Sequence, residues 1–540
     1  MKLKNKTNVR KIDGCEYCWS NVTFLLFLHM NIGLFSTQVA AEIVSSNSIS
    51  HEDQRACVLV NNIEISHLYA FPNVANLKKL ASDILGQCLG EKGLLSLMTK
   101  LQAQLASDGF ITSRVVFADK HYSDGTLYLK LMAGRIENIK HDINSTGKAN
   151  LGMLFPSQPG ELVNLRDIEQ GLDNLQRLPS VNATMDIEIN KDDLSSQIKV
   201  NQQQARLWRA KAYFDDGGSH ALGQHRFGLI LSIDNPFSLG ELLYLSLNRD
   251  ADKHHDKGYS NYALHYSVPY GNWLLSMTGS QGRRYQSLIL ADNTFQYSTR
   301  WNMFDVRIQR LLSRGDHDKT SGYGGLLIRQ SASFFANKEL RIQRIKTTDW
   351  QLGIEYYRSM PWATLMSSIR YQQGATWWGA RSTQGKINMP PARLMAITGS
   401  LDIPFKLGAQ AFNYQPAFSH QYTYSAINVQ DRFSVGGRQS VRGFNGNSAV
   451  VGPQGWYVRN DVLWHDPIAG QQTYFGMDYG EVSEGGHSVF RGNRLVGAVV
   501  GVRGRYHSVG YDFNVGIPII KPDKTHADPW IFGFSMTWQY

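Results

Sequence analysis

Arg442 lies in the run Gly436-Gly-Arg-Gln-Ser-Val-Arg-Gly-Phe-Asn-Gly446, where Gly436, Gly437, Gly443 and Gly446 let the chain turn tightly and push one guanidinium, with Gly443 and Phe444 beside it, into a narrow space. A guanidinium delivered in that way can grip a carboxylate with two parallel hydrogen bonds, which sets orientation as well as position. Asp478 is a carboxylate placed to receive one. Between Tyr474 and Val482, Phe475, Met477 and Tyr479 alternate with Gly476, Asp478 and Gly480. A strand that turns the aromatic face toward lipid turns Asp478 into a lumen. Spacing alone equally describes an exposed loop arginine and an unrelated lumenal aspartate.

Other chemistry is poorly supplied. There is no G-x-S-x-G element, and the 16 histidines are scattered without a matching serine and aspartate set. His254 and His255 fall in the charged stretch 249–257 and read as a solvated loop rather than a metal site. The expectation is a protein without catalytic residues, metal or cofactor. Cys15 and Cys18 have C-x-x-C spacing but lie in a segment expected to be removed, so the spacing is read as accidental. Cys57 and Cys88 remain, and in an oxidising compartment a disulfide is the expected pairing, two separate buried thiols being the alternative.

The formal charge of +10 invites a nucleic-acid reading, but Lys2, Lys4, Lys6, Arg10 and Lys11 sit together at the N-terminus. The other basic residues form no cluster that could track phosphates, so no nucleic-acid partner is expected. The basic start, the apolar run 22–35 and the small residues at 39 and 41 form a secretory signal peptide over residues 1–41, with cleavage after Ala41. Mean hydropathy is −0.31, and no apolar run long enough for a membrane helix follows residue 40. Many turn-makers and aromatics (49 Gly, 25 Tyr, 24 Phe and 12 Trp) suit numerous strands joined by turns.

After a short segment at 42–56, residues 57–136 and 137–205 each follow the order strand, helix, helix, strand, strand. In the first, Leu94, Leu97, Met98, Leu101 and Leu105 share a helical face within 91–108, and Leu127, Leu129 and Leu131 share a strand face. In the second, Ile168, Leu172 and Leu175 align on a helix at 165–178, followed by strands at 181–189 and 196–203. One repeated α/β module accounts for both. From residue 206 onward, alternating segments broken by Gly, Asn, Asp and Pro take over. Phe227, Leu229, Leu231 and Ile233 line one strand face, and Trp530, Phe532, Phe534, Met536, Trp538 and Tyr540 occupy every second position at the chain end. That last stripe suits a barrel-closing strand with aromatic girdles, and the length corresponds to about sixteen strands.

Several stretches resemble the two-partner secretion transporters, outer-membrane proteins of the haemolysin secretion and activation type. Asp108-Gly-Phe-Ile-Thr-Ser-Arg114 and Gly134-Arg-Ile-Glu137 are similar to the family's first POTRA domain, and the run Asn164 to Pro179 to its second. Ser232-Ile-Asp-Asn-Pro-Phe237, Tyr266-Ser-Val-Pro-Tyr-Gly-Asn-Trp273, Ser440-Val-Arg-Gly-Phe444 and Gly476-Met-Asp-Tyr-Gly480 are similar to segments of its barrel. The resemblance implies a membrane all-β fold: a transmembrane barrel of about sixteen strands over 206–540, preceded by two POTRA domains in the periplasm. It implies a loop lock of Arg442, Gly443, Phe444 and Asp478. It also implies export of a large, unfolded exoprotein of haemolysin, adhesin or contact-dependent toxin type, with outer-membrane lipid and the barrel-assembly machinery as further partners. An outer-membrane insertase is the alternative, although insertases of the superfamily usually carry more POTRA domains.

A partner strand could add to a module's sheet edge through backbone hydrogen bonds, and Leu165, Ile168, Leu172, Val181, Ile187 and Ile189 are the expected contact residues. Members often begin with a helix that plugs the barrel. The short, unpatterned segment 42–56 predicts that none does so here.

Overall fold

The computed structural model describes residues 57–540 apart from 73, 220–221, 253–255, 291–292, 381–390, 447, 467–469, 484–492 and 524. Residues 1–41, where a signal peptide is expected, the 42–56 segment and the two histidines at 254 and 255 lie outside the described residues. The chain divides into two compact units, meeting in sequence between Ala205 and Arg206.

The N-terminal unit holds two copies of one topology. In each, the first strand runs parallel to the last, and the fourth element pairs antiparallel with the last from its other side, so the last strand is central. The first copy uses strands Asn62–Ser66, Arg114–Ser123 and Thr126–Met132 under helices Ala75–Ser82 and Glu91–Ser107. Leu97, Leu101 and Leu105, one turn apart, bury their side chains against Leu127, Leu129 and Leu131, as the two periodicities require. Gly109 ends the helix at φ +97, a conformation open to glycine at little cost. The opening strand of this module is split in two: Val58–Val60 pairs with Gln87–Leu89, and the chain then breaks at Asn61, where its N–H and that of Asn62 both donate to the Gly125 carbonyl.

Cys57 and Cys88 form a disulfide across the small Val58–Val60 sheet, with Cα atoms 5.3 Å apart and 31 residues of separation. Closing a loop of that length lowers the entropy of the unfolded chain, so Cys57→Ser with Cys88→Ser should destabilise the first module by about 3 to 4 kcal/mol. Pulse proteolysis in urea of the whole chain, with and without the replacements, reads that loss in the module's own fragments.

The second copy has strands Arg135–His141, Val181–Ile189 and Ser195–Gln204 and helices Leu151–Leu154 and Leu165–Gln176. Asn164 caps the longer helix, accepting from Arg166 N–H at 2.9 Å. Phe155 lies so close to that helix that a Cβ on Gly171 would sit 2.3 Å from its ring.

The second unit is a closed antiparallel barrel of sixteen strands, from Trp208–Asp215 to Ile531–Gln539, which pair with each other to complete the wall. Side chains alternate as a membrane barrel demands. Phe227, Leu231 and Ile233 point outward and are over 40 % exposed, whereas Ser232 and Asp234 on the same strand point inward and are buried. Trp208, Phe237, Tyr270, Trp273, Trp362 and Tyr540 are exposed. All lie at the end where the chain enters the barrel, as one interfacial girdle. Among the described residues no helix is long and apolar enough to cross a membrane.

Residues 424–453 connect the eleventh and twelfth barrel strands, Gln410–Thr423 and Gln454–His465, at the opposite end. This connection forms a small hairpin of its own, Phe433–Val435 with Val450–Gly452, and carries Arg442 back into the lumen.

Candidate functional site

Arg442 and Asp478 meet inside the barrel. The guanidinium presents its side to the carboxylate, Nε donating to Oδ2 at 2.7 Å and Nη2 to Oδ1 at 2.8 Å, while the Arg442 backbone N–H donates to Oδ2 at 3.0 Å. Asp478 is fully buried and Arg442 nearly so. In so little water a paired carboxylate and guanidinium attract strongly, and either one left alone would be costly.

Asp478 stands on the thirteenth strand, Gln471–Ser483, whose alternation is the one read from sequence: Phe475 and Met477 are about half exposed on the outside, and Gly476, Asp478 and Gly480 face inward. The two glycines make room. A Cβ on Gly476 would lie 2.4 Å from Arg442 Nη2, and one on Gly480 would lie 2.5 Å from Val435. The residues around Arg442 bury apolar surface: Val435, Val441, Phe444 and Val450 pack with Val482 and Leu495 of the wall. Gly443, at φ +88, brings the loop backbone against the wall backbone, its missing Cβ pointing within 2.3 Å of the Ile517 carbonyl oxygen.

A second carboxylate at Arg442 was not foreseen. Asp461, on the twelfth strand, accepts from Arg442 Nη2 at 2.5 Å, and Arg459 Nη2 lies 3.6 Å from its other oxygen. One arginine therefore bridges two adjacent wall strands. The available signal was a single acidic residue within the aromatic segment Gly455 to Trp464, sharing a strand face with Arg459 and Leu463. The stem of the same connection is tied elsewhere: Asp431 pairs with Arg329 at 2.7 Å, and Arg329 also holds Asp349 at 2.9 Å. The connection thus reaches from the seventh strand, Asp318–Phe335, across the lumen to the twelfth and thirteenth.

The expected partner surface on the second module needs correction in part. Ile168, Val181 and Ile187 are buried in the module core and cannot touch a partner without unfolding it, because they occupy the strand and helix faces that meet each other. Leu165, Leu172 and Ile189 remain partly accessible. Val181–Ile189 is an edge strand, paired only with Ser195–Gln204 among the described residues, and its Ala183 carbonyl accepts from Gln176 Nε2 at 2.7 Å. Next to this surface, burial pushes the Asp167 carboxyl above its ordinary value, with the Ser157 hydroxyl bond partly opposing and Glu161 adding to the shift. Among the described residues, no group of His, Cys, Asp and Glu is arranged to hold a metal ion.

Comparison with known proteins agrees with this architecture. Residues 195–504 match the family described as haemolysin secretion/activation protein ShlB/FhaC/HecB, residues 58–134 match a POTRA domain of ShlB type, and residues 135–188 match a further POTRA domain. The outer membrane transporter CdiB-2 of Burkholderia pseudomallei is 28 % identical over 84 % of this chain and 79 % of its own length. The hemolysin transporter protein ShlB of Serratia marcescens is 25 % identical over 70 % of this chain and 67 % of its own. Among solved structures, CdiB from Acinetobacter baumannii superposes with a TM-score of 0.79 at 27 % identity, covering 90 % of each chain. CdiB from Escherichia coli gives 0.82 at 22 %, covering 92 % of this chain and 93 % of that one, a likeness of fold. With most of the barrel and all of its inward-folded arginine loop inside the matched residues, the chain belongs to the haemolysin secretion/activation protein family ShlB/FhaC/HecB.

Proposed function

We propose that this chain recognises an unfolded exoprotein with its periplasmic modules and passes it through the barrel lumen, the 424–453 connection acting as a lid that Arg442 pins shut. The chain is an outer-membrane transporter of two-partner secretion, with its POTRA domains in the periplasm. The observation that carries the lid reading is the buried contact of Arg442 with Asp478 and Asp461, since a guanidinium with three well-aimed acceptors inside a pore holds a backbone across it. Residues 57–136 and 137–205 are read as the two recognition modules. The edge strand Val181–Ile189 offers backbone groups to an incoming strand, and Leu165, Leu172 and Ile189 supply side-chain contacts beside it.

Photo-crosslinking at Gln351, an inward-facing buried residue, tests the route. An exoprotein stalled in transit should be captured there and not from Leu352, which faces outward. Capture from Leu352 alone would favour assembly of clients at the membrane face, the insertase alternative, and would defeat the lumenal route. The recognition surface gives a second expectation: Leu172→Gln should weaken binding of the exoprotein's N-terminal segment about tenfold, measured by titration of the purified chain. Unchanged affinity would move recognition elsewhere.

A further inference from the structure

The seam that closes the barrel is its shortest ladder between full strands. The first strand, Trp208–Asp215, meets the closing strand over five register pairs, Lys211 with Gln539 to Asp215 with Ser535. Its other neighbour gives it eight, and the pairing of Trp273–Leu290 with Asn293–Arg314 runs to eighteen. At the entry end the seam is finished by backbone, Ala210 and Tyr540 exchanging hydrogen bonds of 3.3 and 2.9 Å. At the far end side chains take over. Asp216 N–H donates to the Phe534 carbonyl at 3.3 Å, and Phe534 N–H donates to Asp216 Oδ1 at 3.0 Å.

Onto this point the lid lowers a second arginine. Arg438 Nη1 donates to Asp216 Oδ1 at 2.8 Å and to the Phe534 carbonyl at 2.7 Å. Its Nη2 lies 4.0 Å from Asp512, on the strand Val509–Ile520 that flanks the closing strand. One guanidinium of the lid therefore touches both strands of the seam where their ladder ends, and lies beside the strand behind it. A ladder of five pairs frays from its ends, and the end next to the lid is held by a group the wall does not own.

We propose that Arg438 is a latch coupling the lid to the seam: seated, it fastens the outer end of the first and closing strands, and its withdrawal with the lid loosens the wall there. The proposal rests on residues 424–453 being the lid. Removing Arg438 leaves Asp216, which is buried to about a tenth of its side-chain exposure, without this cation. The outer pairs Asp215 with Ser535 and Phe214 with Met536 are then the first to open.

Hydrogen exchange of the purified chain in lipid nanodiscs tests it. Arg438→Ala and Asp216→Asn should each speed exchange across 211–215 and 532–536 by about tenfold or more, tenfold being the least expected for loss of a charge-assisted hydrogen bond, with the ladder between 345–360 and 363–375 unchanged. Arg438→Lys, which keeps the charge but reaches fewer acceptors, should give a smaller rise of about threefold and covers the case in which alanine prevents assembly. Parent-level seam exchange in these variants overturns the latch. Arg442→Ala separates the two ideas: raised ion conductance with an unmoved seam keeps the lid and overturns the coupling. Raised conductance together with faster seam exchange supports both. Normal conductance, with the seam still loosened by Arg438→Ala, removes the lid reading and keeps the fastening of the seam.

Discussion

Arg442→Ala should leave a folded barrel in the outer membrane and remove most export, with an increased ion conductance through the unpinned lumen. The replacement deletes three side-chain hydrogen bonds, leaves the fully buried Asp478 without its cation and leaves Asp461 with the more distant Arg459. Breaking a buried pair by removing one partner costs about 3 to 5 kcal/mol. If that energy holds the lid, the seated population falls by about a hundredfold to a few thousandfold. Arg442→Lys should not restore function, because an ammonium is a point charge and cannot serve the two Asp478 oxygens and Asp461 in the geometry of the guanidinium fork. A double replacement, Arg442→Met with Asp478→Leu, separates gating from stability. Exchanging both charges for apolar groups should recover most of the fold stability while the lid stays unpinned. Barrel folding is read from heat-modifiable gel mobility, conductance from planar bilayers, and export from surface exoprotein. Normal export by Arg442→Ala would remove the pinned lid from the mechanism.

Much of this architecture was legible because two periodicities carry it. Leucines three and four apart at 94–105 and alternating aromatics at 530–540 state which face is covered, and the structure places the first against a sheet and the second on the outside of a barrel. The parity of Asp478 followed from Phe475 and Met477 in the same way. What alternation cannot give is registry between distant segments. That Arg442 reaches Asp478 depends on where residues 424–453 fold, and local spacing left it open until the motif resemblance joined the two. Asp461 and the Arg438 contact with Asp216 were missed for the same reason. Each involves residues unremarkable in their own strand or turn and becomes significant only when a loop from elsewhere arrives. The partner surface failed differently. Ile168, Val181 and Ile187 were chosen for lying on an apolar face, but that face is the one a small module spends on its own core.

Gly497→Ala should unseat the lid as thoroughly as Arg442→Ala while changing no charge. Gly497 lies at an irregularity in the pairing of strands Asn493–Tyr506 and Val509–Ile520, and a Cβ built there would fall 1.8 Å from the carbonyl oxygen of Arg442. That is backbone, held from the other side by the Arg442 N–H to Asp478 bond, and no side-chain rotation relieves the overlap. Gly443 and Gly516 repeat the arrangement next to it: a Cβ on Gly516 would lie 2.8 Å from the Gly443 nitrogen. The lid tip is therefore fitted to a bare patch of wall, and the ion pair can form only because the two backbones approach without side chains between them. The loss of both properties should be shared rather than summed. Gly497→Ala combined with Arg442→Ala is expected to lower export and raise conductance no further than either alone, the signature of two residues acting on one seated state. Additive losses in the double variant would mean that Gly497 shapes the wall for a purpose separate from the lid. Retained export in the single variant would mean that the tip reaches Asp478 by another path than the one its glycines describe.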